Sequence, residues 1–167
     1  MLVATRIELR DLRPDDWPEV ARIFAQGIAT RNATFETQVP SWEEWDASHL
    51  PEHRLVALDG ERMVGWIALM PASTRKCYAG VAEVSVYVGE DTRGQGVGAR
   101  LVEAAIARSE EAGIWTLQTA IFPENVPSLA LCQRFGFRVV GRRDRIAKLD
   151  RRWRDTLVLE RRSEEVT

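Results

Sequence analysis

The sequence is poor in the residues that most often hold metals. Its 167 residues include only two cysteines and two histidines. Cys77 and Cys132 lie far apart and form neither a CxxC pair nor another metal-ligand spacing. With only His49 and His53 besides, we expect no metal site. This low cysteine content fits a reducing compartment, so we expect a cytoplasmic protein.

Long hydrophobic runs and an excess of charge of one sign are missing as well. No apolar stretch approaches the length of a membrane span, and the N-terminal MLVATRIELR lacks the apolar core of a signal peptide. The formal net charge is only -2. Basic residues crowd positions 138–162, but Asp144, Asp150, Asp155 and Glu160 interrupt them. We therefore expect neither a membrane nor a nucleic-acid partner.

What the sequence does contain is a regular alternation of strand and helix patterns. The order is β-α-α-β-β-β-α-β-α-β-β, which predicts one mixed α/β domain over residues 1–167. Helices are expected from Pro14, from the capping residue Ser41, from Gly98 to Ala112, and over 124–136. Strands are expected at 5–12, 54–59, 62–70, 81–89, 115–122, 137–149 and 152–162.

Four glycines are concentrated in the segment VGEDTRGQGVGARL, positions 88–101, just where a helix is expected to begin. Glycine allows positive φ and close approach of the backbone, and a helix N-terminus presents free N–H groups. Such a segment predicts an anion site or, alternatively, a tight turn that binds nothing. It is not a Walker A loop, because Gln95 and Gly96 replace the required lysine and hydroxyl residue. The glycine spacing and the place after a fourth strand also disfavour a dinucleotide fingerprint.

A carboxylate stands in the most apolar strand, VAEVSVYV, at Glu83. Burial of an ionised side chain is costly without a partner, so one interpretation is a structural ion pair with an arginine. The other interpretation is a general base, because burial raises the pKa of a carboxyl towards a useful value. Tyr87 lies four residues on and therefore shares the strand face of Glu83.

Two segments of the sequence resemble the GNAT acetyltransferases. Arg93-x-x-Gly96-x-Gly98 resembles the loop with which these enzymes hold the pyrophosphate of acetyl-CoA. ENVPSLALCQRFGF, which contains Asn125 and Ser128, resembles their second cofactor segment. The resemblance implies a sheet splayed between its fourth and fifth strands, with acetyl-CoA in the splay and the pantetheine arm paired to the backbone there. The implied cofactor contacts are Val86, Tyr87, Val88, Arg93, Gly94, Gln95, Gly96, Val97, Gly98, Ala99, Asn125 and Ser128.

VAEVSVYV further resembles the signature strand of the phosphinothricin N-acetyltransferase group, in which the glutamate at the position of Glu83 is the base. GIATRNATFET, YAGVAEVSVYV, FPENVPSLALC and KLDRRWRD are similar to the arsinothricin N-acetyltransferase branch. The resemblance implies direct transfer of acetyl to the α-amino group of a small amino acid with an anionic tetrahedral head. It implies Phe35, Arg75 and Tyr87 as substrate contacts, and a homodimer.

Three questions stay open at this point. Cys132 stands where many family members carry tyrosine, so it is either the acid for the departing thiolate or a small core residue. Arg75 is either a bidentate contact for an acidic substrate or an exposed loop charge. The chain could instead acetylate a protein N-terminus or an aminoglycoside, or sense coenzyme A without catalysis.

Overall fold

The computed structural model describes residues 6–167. The predicted first strand begins at Thr5, which lies outside the described residues, as does the first half of MLVATRIELR. Among residues 6–167, no helix is both long and apolar enough to span a membrane.

The described residues form four α-helices and seven strands in the predicted order. The helices are α1 (Trp17–Ala29), α2 (Trp42–Ser48), α3 (Val97–Glu111) and α4 (Val126–Arg134). The strands are β1 (Ile7–Asp11), β2 (Arg54–Asp59), β3 (Arg62–Pro71), β4 (Val81–Val88), β5 (Thr116–Ile121), β6 (Arg138–Leu149) and β7 (Arg152–Arg162). This confirms the mixed α/β class.

The first helix begins later than predicted. Pro14–Asp16 forms a separate 3-10 turn, and α1 starts at Trp17. The Asp16 carboxylate accepts hydrogen bonds from the backbone N–H of Arg13 at 2.7 Å and from the Arg10 guanidinium at 2.7 and 2.8 Å. These bonds satisfy a free N–H at the chain's entry to the helix and fix the tighter turn.

All seven strands join one sheet in the order β1-β2-β3-β4-β5-β7-β6. Strand β4 pairs with β3 along its length, from Gly65↔Val88 to Pro71↔Ala82. Its parallel pairing with β5 covers only Val81, Ala82 and Glu83. Beyond Glu83 the two strands diverge, which confirms the predicted splay.

The helices cover the sheet on both faces. On one face, α3 packs its buried Leu101 and Val102 against Val84 and Val86 of β4. On the other face, α1 joins an aromatic cluster around Trp66 and Tyr87. Because successive strand residues point to opposite faces, Glu83, Ser85 and Tyr87 all lie on the α1 face.

The last two strands form a long hairpin at the end of the sheet. Its turn consists of Asp150 and Arg151, both with positive φ, as a two-residue hairpin loop that follows the strand twist requires. Strand β6 is the edge strand and is exposed over most of its length. Four apolar side chains of this hairpin are exposed: Val139, Val140, Ile146 and Trp153.

Candidate active site

The splay between β4 and β5 contains a cavity of about 260 Å³. Its walls include Glu83 to Tyr87 of β4, the end of β5 with Phe122, the first two turns of α4, one side of α3, Thr156 of β7 and the loop from Ala33 to Glu36. Strand alternation divides it into two halves. Glu83, Ser85 and Tyr87 face a polar half with Thr34, and Val84 and Val86 face an apolar half with Leu131 and Cys132.

Glu83 lies half-buried at the last paired position before the strands diverge. Burial raises the pKa of its carboxyl above the ordinary value, and the positive charge of Arg143 acts in the opposite direction. No ion pair joins Glu83 to a basic side chain among residues 6–167. The structural ion pair of the first interpretation is therefore not formed, and the carboxyl is available to the cavity.

Tyr87 forms the aromatic wall of the polar half. Its ring stacks on Trp66 at 4.9 Å between centroids and contacts Phe24 at the same distance. Burial raises the pKa of Tyr87 to about 12, although a hydrogen bond with Thr34 lowers it. The hydroxyl is therefore protonated at neutral pH and can donate a hydrogen bond.

The glycine loop builds the N-terminus of α3. Gly94 and Gly96 have φ of 76° and 84°, a region that other residues rarely adopt, and Gly96 caps the helix. The first N–H of the helix with a partner is that of Arg100, bonded to the Gly96 carbonyl at 3.2 Å. The N–H groups of Val97, Gly98 and Ala99 precede it, have no backbone partner among residues 6–167 and can bind an anion.

Two side chains hold this loop in place. The Gln95 side chain donates to the Asp91 carbonyl at 3.2 Å, and Arg93 donates to the Val88 carbonyl at 3.4 Å. A Cβ at Gly98 would lie 3.1 Å from Leu131 and 3.5 Å from Val88. Gly98 therefore brings the loop into close contact with α4 and with the end of β4, beside the cavity.

Helix α4 begins at the second predicted cofactor segment. Asn125 caps it, with its side-chain oxygen accepting from the Ser128 N–H at 3.3 Å, and both residues line the cavity. Cys132, one turn further on, is buried and belongs to the core beside α3 while also lining the cavity. Burial raises the pKa of its thiol to about 11, so it is protonated at neutral pH and is a poor nucleophile.

Besides Tyr87, the structure places the other two predicted substrate contacts differently. Phe35 lines the cavity and meets Phe122 edge to face, with centroids 4.9 Å apart. Arg75 is exposed in the turn before β4, and its guanidinium lies over the ring of Tyr78 at 5.5 Å. Arg75 is not among the residues that line the cavity. Its contact with a substrate stays a prediction.

Several residues of the polar half were not identified from the sequence. Ser85 could have been found, because it lies between Glu83 and Tyr87 on the same strand face. Thr34 and Thr156 could not, because only the folded chain brings them to β4. The Thr156 hydroxyl is buried without a hydrogen-bond partner among residues 6–167, and its cross-strand neighbour on β6 is Arg143.

The residues of this site fit a thioester substrate with an anionic tail better than they fit a metal-dependent reaction. Among residues 6–167, no three His, Cys, Asp or Glu side chains are grouped as metal ligands. The β5-facing edge of β4 beyond Glu83 can pair with an extended amide chain, and the α3 N-terminus can hold a pyrophosphate. The half-buried carboxyl of Glu83 can accept a proton from an amine.

Comparison with known proteins supports this interpretation. The Acetyltransferase (GNAT) family model matches residues 7–137. An L-methionine sulfoximine/L-methionine sulfone acetyltransferase of Pseudomonas aeruginosa is 34% identical over 153 residues, covering 88% of this chain and 89% of the relative. A phosphinothricin N-acetyltransferase of Alcaligenes faecalis is 32% identical over 162 residues, covering 92% and 81%.

A solved structure has the same architecture. It is a GNAT superfamily phosphinothricin acetyltransferase from Sinorhizobium meliloti in complex with AcCoA, with a TM-score of 0.85 and 25% identity. The match covers 96% of this chain and 90% of that one. With the splayed sheet and the glycine loop, these findings show that the chain belongs to the GNAT family and is an acetyl-CoA-dependent N-acetyltransferase.

Proposed function

We propose that this enzyme acetylates the α-amino group of a small amino acid with an anionic or strongly polar tetrahedral head, the class of phosphinothricin, methionine sulfoximine and arsinothricin. The observation that carries the proposal is the half-buried Glu83 carboxyl in the polar half of the cavity, which forms no ion pair among residues 6–167. The names of the relatives from Pseudomonas aeruginosa and Alcaligenes faecalis support the substrate class.

Glu83 is the general base in this proposal. An amine attacks only in its neutral form, so the ammonium must first lose a proton. A carboxyl whose pKa burial has raised is a stronger base than an exposed one. Acetyl-CoA supplies the acetyl group as an activated thioester. Backbone N–H groups of Val86 and Val88, on the β5-facing edge of β4, then stabilise the negative charge that develops on the carbonyl oxygen.

Transfer is direct, without an acetylated enzyme. The buried residue that could form such a species is Cys132, and a thiol with a pKa of about 11 is almost entirely protonated near neutrality. In that form it can donate a proton to the departing thiolate. The other role of Cys132, as a small core residue beside α3, is compatible with the same contacts.

The proposed cofactor contacts remain those of the glycine loop, the β4 edge and the start of α4. Two arginines are candidates for the anionic head of the substrate. Arg75 follows from the resemblance, and Arg143 from its electrostatic effect on Glu83 and its place beside Thr156. An arginine can contact such a head with two hydrogen bonds at once.

The chain is proposed to act in the cytoplasm as a homodimer. Exposed apolar side chains lie near both ends of the edge strand β6 and at the start of β7, and a second copy of the chain would cover them. The resemblance to the phosphinothricin N-acetyltransferase group implies the same assembly.

A panel of amines tests the substrate class. Release of free thiol from acetyl-CoA is followed with phosphinothricin, methionine sulfoximine, arsinothricin, a peptide with a free N-terminus and an aminoglycoside. We expect kcat/KM for at least one of the three amino acids to exceed that for the peptide and the aminoglycoside by about 100-fold, since buried polar groups reject ligands that leave them unpaired. Turnover of the peptide without turnover of the amino acids would contradict the proposal.

A further inference from the structure

The first part of the loop between α1 and α2, residues 30–36, supplies Thr34 and Phe35 to the polar half of the cavity, and we call it the acceptor loop. Its internal hydrogen bonds are short-range. Thr30 donates to the Gly27 carbonyl at 2.7 Å and accepts from the Asn32 N–H at 3.2 Å, and Thr34 accepts from the Glu36 N–H at 3.0 Å. Such contacts shape the loop but do not fix it to the sheet.

Arg154 of β7 supplies contacts that do. Its guanidinium donates to the Arg31 carbonyl at 2.7 Å and to the side-chain oxygen of Asn32 at 2.8 Å. It also lies 4.2 Å from the centroid of the Phe122 ring, and only 17% of the Arg154 side chain is exposed. The Glu124 carboxylate forms an ion pair with the Arg154 guanidinium at 3.3 Å. Charged hydrogen bonds of this kind are among the stronger polar contacts in a protein.

A second fixed point comes from α4. The Asn125 amide donates to the Asn32 carbonyl at 3.1 Å while its oxygen caps the helix. Asn32 is thus held through its side chain by β7 and through its backbone by α4. The residue before it, Arg31, has φ of 57°, a conformation that non-glycine residues adopt only when surrounding contacts impose it.

We propose that Arg154 is a positioning residue of the transfer reaction, which fixes Asn32 and thereby places Thr34 and Phe35 against the amine substrate. Arg154 is absent from the cavity lining and acts through the loop. Thr34 lines the same half of the cavity as Tyr87, and Phe35 packs on the Phe122 ring that Arg154 covers. The effect on the amine substrate rests on the proposed function. The contact between Arg154 of β7 and the acceptor loop does not.

Two variants remove the contact between Arg154 and Asn32, each by changing one of the two side chains. Arg154→Gln removes the guanidinium, and Asn32→Ala removes the oxygen that it contacts. Asn32→Asp keeps an acceptor oxygen in the same place and is the conservative comparison. Arg138→Gln breaks an exposed ion pair with Glu160 on the same hairpin and is the matched control. Asn32→Ala alters a loop side chain, so it tests the link even if Arg154→Gln does not fold.

Hydrogen exchange of the full-length protein, followed by mass spectrometry, measures the link without any substrate. We expect exchange in residues 31–36 to accelerate about tenfold or more in Arg154→Gln and Asn32→Ala, because charged hydrogen bonds that hold the loop are lost. Exchange in α3 is expected to stay unchanged, and Asn32→Asp is expected to keep the protection. Equal exchange in the wild type and both link-breaking variants would overturn the inference.

Steady-state kinetics measure the consequence for catalysis. With phosphinothricin or methionine sulfoximine, we expect KM for the amine to rise about tenfold in Arg154→Gln and Asn32→Ala, with KM for acetyl-CoA within about twofold of wild type. A parallel rise of both KM values, or a similar effect of Arg138→Gln, would show general destabilisation and overturn the positioning role. Failure of the wild type with every amine would instead refute the proposed function, while hydrogen exchange still decides the link.

Discussion

At the scale of single residues, two opposing influences set the protonation of Glu83. Burial raises the pKa of the carboxyl, and Arg143 lowers it. A base must be deprotonated to act, so kcat/KM is expected to fall as the pH decreases through this raised pKa. We therefore expect the acidic limb of the pH profile to lie at higher pH than for an ordinary glutamate.

We expect Glu83→Gln to lower kcat by about 10²–10⁴, the usual contribution of a general base, and to abolish the acidic limb. Arg143→Gln removes the charge that lowers the pKa of Glu83, so the limb should move to higher pH. Initial rates between pH 5 and 9, with acetyl-CoA saturating, measure both effects. Full activity of Glu83→Gln at neutral pH, or a limb that moves to lower pH in Arg143→Gln, would contradict the assignment.

Gly27 of α1 shows how closely Tyr87 is packed. A Cβ at this position would lie 2.6 Å from two ring carbons of Tyr87. The ring is fixed between Trp66 and Phe24, so it cannot move away freely. We expect Gly27→Ala to reduce the free energy of unfolding by about 1–3 kcal/mol, since overpacking outweighs the better helix propensity of alanine.

Denaturant unfolding of Gly27→Ala measures this change. Gly141→Ala is the matched control, because a Cβ there has nothing within 4 Å and should leave the stability nearly unchanged. Equal stability of the two variants would mean that Tyr87 is not held as tightly as its contacts indicate.

At the scale of elements, helix α3 offers a comparison between its own two ends. Gly96 precedes its first residue and Gly113 follows its C-cap, with φ of 84° and 80° and no atom within 4 Å of a Cβ at either position. Alanine at either position should lower the stability by a similar amount, about 1–2 kcal/mol, since both residues must stay in the left-handed region.

Only one of these ends is proposed to bind acetyl-CoA. We expect Gly96→Ala to weaken acetyl-CoA binding about tenfold or more, because the new methyl group intrudes where the pyrophosphate approaches the free N–H groups. Gly113→Ala should bind as well as the wild type. Calorimetric titration with acetyl-CoA compares them, and equal affinities would remove the glycine loop from the cofactor site.

Elements with strong alternation could be predicted closely from the sequence. Strand β7 occupies 152–162 as expected, and α3 begins one residue before the predicted Gly98. The start of α1 was predicted wrongly, because the pairing of Asp16 with Arg10 and Arg13 stabilises a separate turn. A proline followed by acidic residues marks a helix entry, but side-chain partners decide where the regular helix begins.

At the scale of the whole molecule, long-range contacts limit what the sequence reveals about the site. Glu83, Tyr87 and Phe35 were identified from their local patterns or from the resemblance, and all three line the cavity. The contact between Arg154 and Asn32 joins residues 122 positions apart. No local pattern encodes such a pair, because it depends on how the last hairpin folds back across β5.

The proposed homodimer is also a property of the whole molecule. Ile146 and Trp153 lie on the exposed hairpin, where a second copy would bury them. We expect a dimer by light scattering coupled to size-exclusion chromatography, and a monomer for the double variant Ile146→Glu/Trp153→Glu, since buried like charges oppose association. Tyr78→Glu, at another exposed aromatic residue, should leave the assembly unchanged. A monomeric wild type would refute the proposal.

The pairing between β4 and β5 is short, and this leaves room for acetyl-CoA between the two strands. Past Glu83, the backbone of β4 has a neighbour on the β3 side and an open seam on the β5 side. A pantetheine arm in that seam would serve as a short surrogate strand. The thermal stability of the protein should therefore depend on the concentration of acetyl-CoA. At an acetyl-CoA concentration of 100 times Kd, the free energy of unfolding should rise by about 2.7 kcal/mol. A melting temperature that acetyl-CoA leaves unchanged would show that the seam stays open.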